Sequence, residues 1–259
     1  MSLLAAKNLA IGYGHAPIVQ HINLACQPGT VTCLLGPNGV GKTTLFKTLL
    51  GLLPALAGDV MIGDARISAI TRQEIARRIA YVPQAHTTEF AYSALDLVVM
   101  GRTAYLDAFG SPKPNDYEAA MAALDLLGIA SLAHRDVTRI SGGQRQLVFI
   151  ARALAQQSKI VVMDEPTASL DLGNRIRVLD TVSALAEKDL AIVLSTHEPE
   201  QAFAIAHAVA VLGAGNHFVT GPVNEVLTST ELSNLYGVQV EVEQTQSGRL
   251  VVGPSAGRR

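Results

Sequence analysis

The stretch GPNGVGKTT at 36–44 sets three glycines, a proline, a lysine and two threonines in one short loop. Those residue types suit one task. Glycines allow backbone turns in which successive N–H groups face inward around an anion. A helix starting near Lys42 would direct its positive end at the same anion. The Lys42 ammonium neutralises phosphate charge, the Thr43 hydroxyl is an oxygen ligand of the kind Mg2+ takes, and the Thr44 hydroxyl offers a further hydrogen bond. Gly36, Pro37, Asn38, Gly39, Val40, Gly41, Lys42 and Thr43 fit G-x-x-x-x-G-K-[ST], the P-loop pattern. The apolar run at 31–35 before the loop and a helical pattern after it supply the strand–loop–helix setting that nucleotide binding needs. A Gly-rich turn that merely caps a helix is the poorer account.

Two further clusters suit the same chemistry. Asp164 and Glu165 end the apolar run 160–163, and parallel strands deliver ligands to their carboxyl ends. Adjacent residues on a strand point to opposite sides, so the two carboxylates need not share a role. One would hold Mg2+ and the other orient or deprotonate an attacking water. Ser141, Gly142, Gly143 and Gln144 open a helix over 144–155 whose N-terminus suits an anion, although an ordinary helix cap has the same composition.

These clusters need elements to hold them. Runs at 5–11, 18–26 and 31–35 read as strands, 44–53 as a helix ended by Pro54, and 59–67 as a hairpin turning at Gly63-Asp64. A helix at 71–78 leads to a strand at 79–82. The pattern is then helical from 93 to 157, broken by Gly101, by 110–114 and by Gly128, with 115–127 close to helical period. Strands at 160–163, 191–195 and 209–212 alternate with helices at 174–187 and 198–206. Continuous apolar strands between helices imply a parallel sheet covered on both faces, with the helical block inserted in it. Beyond Val238 the chain alternates like a strand and then turns polar.

Bulk composition limits the function classes. The 259 residues carry a net charge of −2 and are 49% apolar, enough for one large α/β domain and without the basic patch that nucleic acid requires. No run reaches the ~18 apolar residues of a membrane span, and the start lacks a signal-peptide pattern. A mean hydropathy of +0.28 fits a large core. Cys26 and Cys33 have no metal-type spacing and read as reduced core thiols. Six of the histidines, at 15, 21, 86, 134, 207 and 217, show no ligand spacing and read as structural.

ISGGQ at 140–144 resembles the signature sequence of ABC-transporter ATPase subunits, and it lies upstream of the Asp164-Glu165-Pro166 strand end as in that family. Gln84 resembles the Q-loop glutamine, Ser169-Leu170-Asp171 the D-loop, and His197 the switch histidine. Tyr13 falls where the family keeps an aromatic that stacks on adenine. The resemblance runs from residue 3 to about 237, with seven motifs in order; Ile140 stands where leucine is usual and keeps an apolar anchor. It implies an α/β fold: a P-loop NTPase core with a mainly parallel sheet, an N-terminal antiparallel β part and an inserted α-helical subdomain. The single domain would span 1–237, with core about 1–84 and 158–237, insert about 85–157 and a tail at 238–259.

The resemblance also implies ATP and Mg2+ as ligands. Lys42 and the backbone amides of 39–44 would hold phosphates, and Thr43, Gln84 and Asp164 would serve Mg2+. Glu165 would be the catalytic base, while His197 contacts the γ-phosphate. Two subunits would pack head to tail, so that Ser141 and Gly143 act on the partner's nucleotide and Asp171 links the two sites. The stretch FAYSALDLVVMGRTAYLDAFGSPKPN at 90–115 resembles ATPases of bacterial metal-chelate importers. That implies uptake of a metal chelate, with an iron(III)–siderophore as the expected cargo and haem, cobalamin or molybdate as alternatives. It also implies a membrane permease contacted through residues 85–102, a substrate-binding protein acting indirectly, and a place at the cytoplasmic face of the inner membrane. An exporter subunit or a soluble mechanical ATPase fits less well: fewer than a hundred residues separate P-loop and signature, and no sustained heptad lies between them.

Overall fold

The computed structural model describes residues 2–84, 91–107 and 110–255. Along the chain, β1 (Leu4–Tyr13), β2 (Ala16–Cys26) and β3 (Val31–Leu35) precede the glycine loop, and α1 (Lys42–Leu49) follows it. Next come β4 (Ala57–Ile62), β5 (Ala65–Arg66), α2 (Arg72–Arg78) and β6 (Ile79–Val82). Helices α3 (Ala94–Val99), α4 (Pro114–Leu126) and α5 (Gly142–Ala155) fill the middle. Then β7 (Ile160–Met163), α6 (Leu172–Ala186), β8 (Ala191–Thr196), α7 (Pro199–Ile205), β9 (Ala208–Gly213) and β10 (His217–Pro222) complete the alternation. The last elements of the described residues are α8 (Val223–Val226), α9 (Ser229–Tyr236), β11 (Val240–Gln244) and β12 (Leu250–Pro254).

The strands form a six-stranded sheet ordered β10-β9-β3-β8-β7-β6, a four-stranded antiparallel sheet ordered β2-β1-β4-β5, and the hairpin β11-β12. In the larger sheet β3, β6, β7, β8 and β9 run parallel, and only β10 pairs antiparallel. This is the mixed, mainly parallel α/β architecture that the sequence pattern implies.

Period-two alternation assigns the sheet's two faces. Val31, Cys33 and Leu35 join Val161, Met163, Ile192 and Leu194 in the core shared with α3, α4, α5 and α6. Leu34, Val162, Val193 and Leu212 face the opposite way, onto Leu45, Phe46 and Leu49 of α1 and the antiparallel sheet. Burial on both faces explains why these strands read as unbroken apolar runs. Cys26 and Cys33 are free and buried, and burial pushes both thiols up to about 12. His207 is structural, its Nδ1 accepting from the Val31 N–H at 3.1 Å. His86 lies outside the described residues.

Some boundaries differ from the sequence pattern. Helix α1 stops at Leu49, short of Pro54, because the chain turns out of the helix at Gly51, φ 68°. Helix α5 begins at Gly142 rather than at 144, since Ser141 caps it and its glycines are helical. The elements β10, α8, α9 and β12 carry no clear period and were not legible as such. Among the described residues no helix is long and apolar enough to cross a membrane.

Candidate active site

The loop between β3 and α1 turns on two glycines with positive φ, Gly39 at 81° and Gly41 at 117°. A side chain at either would be strained, and a Cβ at Gly39 would point into open space beside the loop. The open amides of this turn and the N-terminus of α1 face the same pocket. That pocket has a volume of 360 Å³ and is lined by Asn38, Gly39, Gly41, Lys42, Thr43, Thr44, Gln84 and Glu165.

Lys42 begins α1 and folds back over the loop. Its ammonium donates to the carbonyls of Gly36 at 2.7 Å and Pro37 at 3.1 Å, and its Nζ lies 3.2 Å from Glu165 Oε1. The Thr43 hydroxyl donates to Asp164 Oδ2 at 2.8 Å. A hydroxyl and a carboxylate meeting at the mouth of an amide-lined turn are hard oxygen donors suited to Mg2+, and the cationic loop suits a polyphosphate. The residues present therefore fit both groups.

Asp164 and Glu165 lie just past the last residue of β7. Asp164 donates its backbone N–H to the Val82 carbonyl, which extends the β6–β7 pairing by one bond. Glu165 then leaves the strand with φ 44°, a left-handed conformation that costs a non-glycine residue energy. This turn overrides the simple alternation expected of a strand and points the Glu165 carboxylate at the loop. Three groups distant in sequence surround it: Lys42, Gln84 Nε2 at 3.5 Å from Oε2, and His197 Nδ1 at 3.5 Å from Oε2.

Several residues that hold this arrangement were not singled out by the sequence. The Ser195 hydroxyl donates to Asp164 Oδ1 at 2.6 Å and accepts from the Glu165 N–H at 2.9 Å. Thr167 and Thr196 both donate to Gln201 Oε1, which ties the segment after Glu165 to the segment that carries His197. Arg175 Nη1 pairs with Glu198 Oε2 at 2.5 Å. Their only sequence signal is a small polar residue at the end of an apolar strand or a charge beside a motif. Burial, followed by the Asp164 charge, pushes the neighbouring Tyr81 phenol up to about 12, so it stays protonated.

The remaining expected site residues lie around the pocket or apart from it. Tyr13, 55% exposed, sits at the end of β1 beside α1, its hydroxyl accepting from the Thr44 hydroxyl at 3.4 Å. Ser141 and Gln144 form a capping box: Ser141 Oγ accepts from the Gln144 N–H and Gln144 Oε1 from the Ser141 N–H. Asp171 caps α6, accepting from the Asn174 N–H and side-chain amide, each at 2.8 Å. The Asn174 N–H first, and then its amide, hold the Asp171 carboxyl below the usual range. Ser141, Gly142, Gly143, Gln144 and Asp171 do not line the pocket that Lys42 and Glu165 share. They gather instead where α5 and α6 begin, with Gly142 against Leu170 and Gly143 against Asn174.

A sequence profile described as ABC transporter matches residues 19–168. An uncharacterized ABC transporter ATP-binding protein of Haemophilus influenzae is 44% identical over 240 residues, covering 93% of this chain and 91% of that one. The molybdate import ATP-binding protein MolC of Haemophilus influenzae is 38% identical, covering 94% and 91%. Among solved structures, an inward-facing ABC transporter described as metal-chelate type matches with a TM-score of 0.87 and 36% identity, covering 97% of this chain and 96% of that one.

Proposed function

This chain belongs to the ABC transporter family as an ATP-binding subunit, an ATPase, and from that premise we propose that it drives a bacterial importer of metal chelates from the cytoplasmic face of the inner membrane. The observation that carries the catalytic part is the convergence of Lys42, Gln84 and His197 on the Glu165 carboxylate. In this reading Lys42 and the loop amides bind the β- and γ-phosphates of ATP. Glu165 orients the attacking water and accepts its proton, and His197 fixes the γ-phosphate end of the site. Thr43, Asp164 and Gln84 would hold Mg2+, which when bound supplies charge neutralisation across the phosphates. Phosphoryl transfer needs placement and charge balance above all, and these side chains provide both. Tyr13, exposed beside α1, stacks on the base.

The second half of each site comes from a twin subunit. Support lies in the capped N-terminus of α5, which offers amides to an anion but stands outside the pocket of its own chain. Ser141, Gly142, Gly143 and Gln144 then meet the partner's γ-phosphate, and Asp171 lies between the two sites. The insert at about 85–157 is the arm that carries this helix start, packed on a core of about 1–84 and 158–237.

The permease is contacted through the surface around 85–102, of which residues 85–90 lie outside the described residues. A largely apolar groove of 550 Å³ supports this placement: Leu52, Ile75, Met100 and Ala104 line it, with Arg72 and Arg152 among its polar residues. Leu52 and Met100 are 59% and 42% exposed, a rim that a membrane subunit's helix would cover. The cargo is a metal chelate, with iron(III)–siderophore as the expected member and molybdate as the competing one, favoured by the likeness to a molybdate importer.

Two measurements test the reading. Phosphate release per molecule by the full chain should rise with protein concentration as dimers form; a constant rate from a demonstrably monomeric protein overturns the shared site. Cells lacking this chain should lose uptake of radiolabelled iron(III)–siderophore and regain it on complementation. Loss of molybdate uptake alone would assign the second cargo.

A further inference from the structure

The C-terminal elements reach the loop that carries His197. Helix α9 is defined at both ends, by Thr228, whose hydroxyl accepts from the Glu231 N–H, and by Gly237 with φ 68°. Leu232 and Tyr236, one turn apart, share its inner face. Leu232 is fully buried and Tyr236 packs on the same core. From there the Tyr236 hydroxyl donates to the backbone carbonyl of His197 at 2.8 Å.

The adjoining flank of the same side of α9 is held by the terminal hairpin. Ser229 Oγ accepts from the Val242 N–H at 2.9 Å, and Ser233 Oγ accepts from the Val240 N–H at 3.0 Å. The hairpin's second strand reaches α7, where the Val252 N–H meets Glu200 Oε1 at 3.4 Å. His197 itself lies between β8 and α7, in a turn with few backbone bonds of its own, and its side chain is 43% exposed. A half-exposed imidazole at a strand end would ordinarily sample several orientations.

We infer that Tyr236 is a positioning residue for hydrolysis: its hydroxyl, held by α9 and the β11-β12 hairpin, fixes the backbone of His197 and thereby the direction of the imidazole. Burial, with help from the Glu200 and Glu198 charges, pushes the Tyr236 phenol up to about 12, so the donor proton is kept throughout the working pH range. The adjacent Glu198 is gripped from the other side by Arg175 of α6. The turn around His197 is therefore fastened at its carbonyl by the C-terminal unit and at the next side chain by the helix that follows Asp171. This inference rests on the role of His197 proposed above.

The test compares Tyr236→Phe, His197→Ala and the double variant in the full-length chain. Tyr236→Phe keeps the ring and removes only the donor. The expected result is a fall in kcat of about two- to tenfold, the rate equivalent of one neutral hydrogen bond, with KM for ATP unchanged. In the His197→Ala background, residual single-turnover hydrolysis should show no further loss, because the hydroxyl then has no imidazole to direct. An unchanged kcat for Tyr236→Phe beside an impaired His197→Ala overturns the inference and leaves the site reading intact. A fully active His197→Ala overturns the site reading instead. An equal loss from Tyr236→Phe in both backgrounds assigns the effect to general stability and also overturns the inference, so a lowered melting temperature does not blur the outcome.

Discussion

Lys42 and Glu165 form an ion pair, Nζ to Oε1 3.2 Å, in which the side chains keep only 6% and 11% of their surface. The same ammonium already donates to two loop carbonyls. A phosphate entering the loop must therefore compete with Glu165 for Lys42. With the roles proposed above, the contest would link binding to catalysis: the charge that would hold phosphate also neutralises the carboxylate that would serve the water. Breaking such a withdrawn pair on one side leaves the other charge uncompensated, a cost of about 3–5 kcal/mol in buried cases.

Glu165→Gln follows directly. The amide keeps the size of the side chain and releases Lys42 from a competing charge, so ATP affinity should hold or rise. Loss of a general base lowers turnover by roughly 10²–10⁴-fold. Equilibrium binding of a fluorescent ATP analogue and phosphate release measure the two effects separately. A variant with more than half the original turnover would remove Glu165 from the base role.

Ser195→Ala tests a residue that the sequence did not single out. Its hydroxyl is fully buried and bridges Asp164 Oδ1 to the Glu165 backbone N–H. Removal leaves a buried carboxylate oxygen without that donor, which costs about 1–3 kcal/mol of stability. Asp164 also becomes freer to turn, so the Mg2+ concentration for half-maximal hydrolysis should rise several-fold. Thermal unfolding and a Mg2+ titration give the two readings, and an unaltered Mg2+ dependence would confine Ser195 to a structural part.

The glycine loop was legible because its pattern is local. Gly39, Gly41, Lys42 and Thr43 lie within one turn, and the apolar run at Val31–Leu35 places that turn at a strand end. Asp164 and Glu165 were legible for the same reason. Ser195 was not, because its partner is chosen by pairing between strands: Met163 lies opposite Leu194, which sets the next residue of β8 beside Asp164. Tyr236 meets His197 across 39 residues of chain, and no local period announces such a contact. The glycine pair 142–143 read as part of an anion-suited helix start; the structure places both glycines inside the first turn of α5 and packs them against Leu170 and Asn174, a contact the spacing did not announce. Sequence spacing registers a face or a cap; it does not register what a face will touch.

Gly143 illustrates that last point. A Cβ built there would lie 2.3 Å from Asn174 Cγ, and both Asp171 oxygens hold Asn174 in place. Gly143→Ala must therefore push α5 away from α6 or unseat Asn174. Overpacking of this kind costs roughly 1–3 kcal/mol. It should also lower hydrolysis at least tenfold with little change in ATP affinity, since the pocket around Lys42 is untouched. Ser141→Arg should share that split, retaining ATP binding and losing turnover. Equal loss of binding in the isolated monomer would place this helix start in the chain's own site.

Asp116 gives a pH-dependent test away from the site. Its carboxylate accepts from the Lys113 N–H at 2.9 Å and pairs with Arg102 Nε at 3.0 Å, while Arg102 reaches on to the Ala155 carbonyl and stacks over Tyr105. The Lys113 backbone N–H first, and the Arg102 side chain next, hold the Asp116 carboxyl below its usual range. A lowered folded-state pKa means that the unfolded chain binds the proton more readily. The stabilisation is therefore complete above the ordinary aspartate value of about 3.9 and fades as pH falls through the lowered one. Asp116→Asn should melt below the parent at pH 7, and the gap should narrow as the pH of the melts is taken from 5 to 3. A gap of constant size across that range would mean that packing of the side chain, and not its charge, stabilises the junction of α4 and α5.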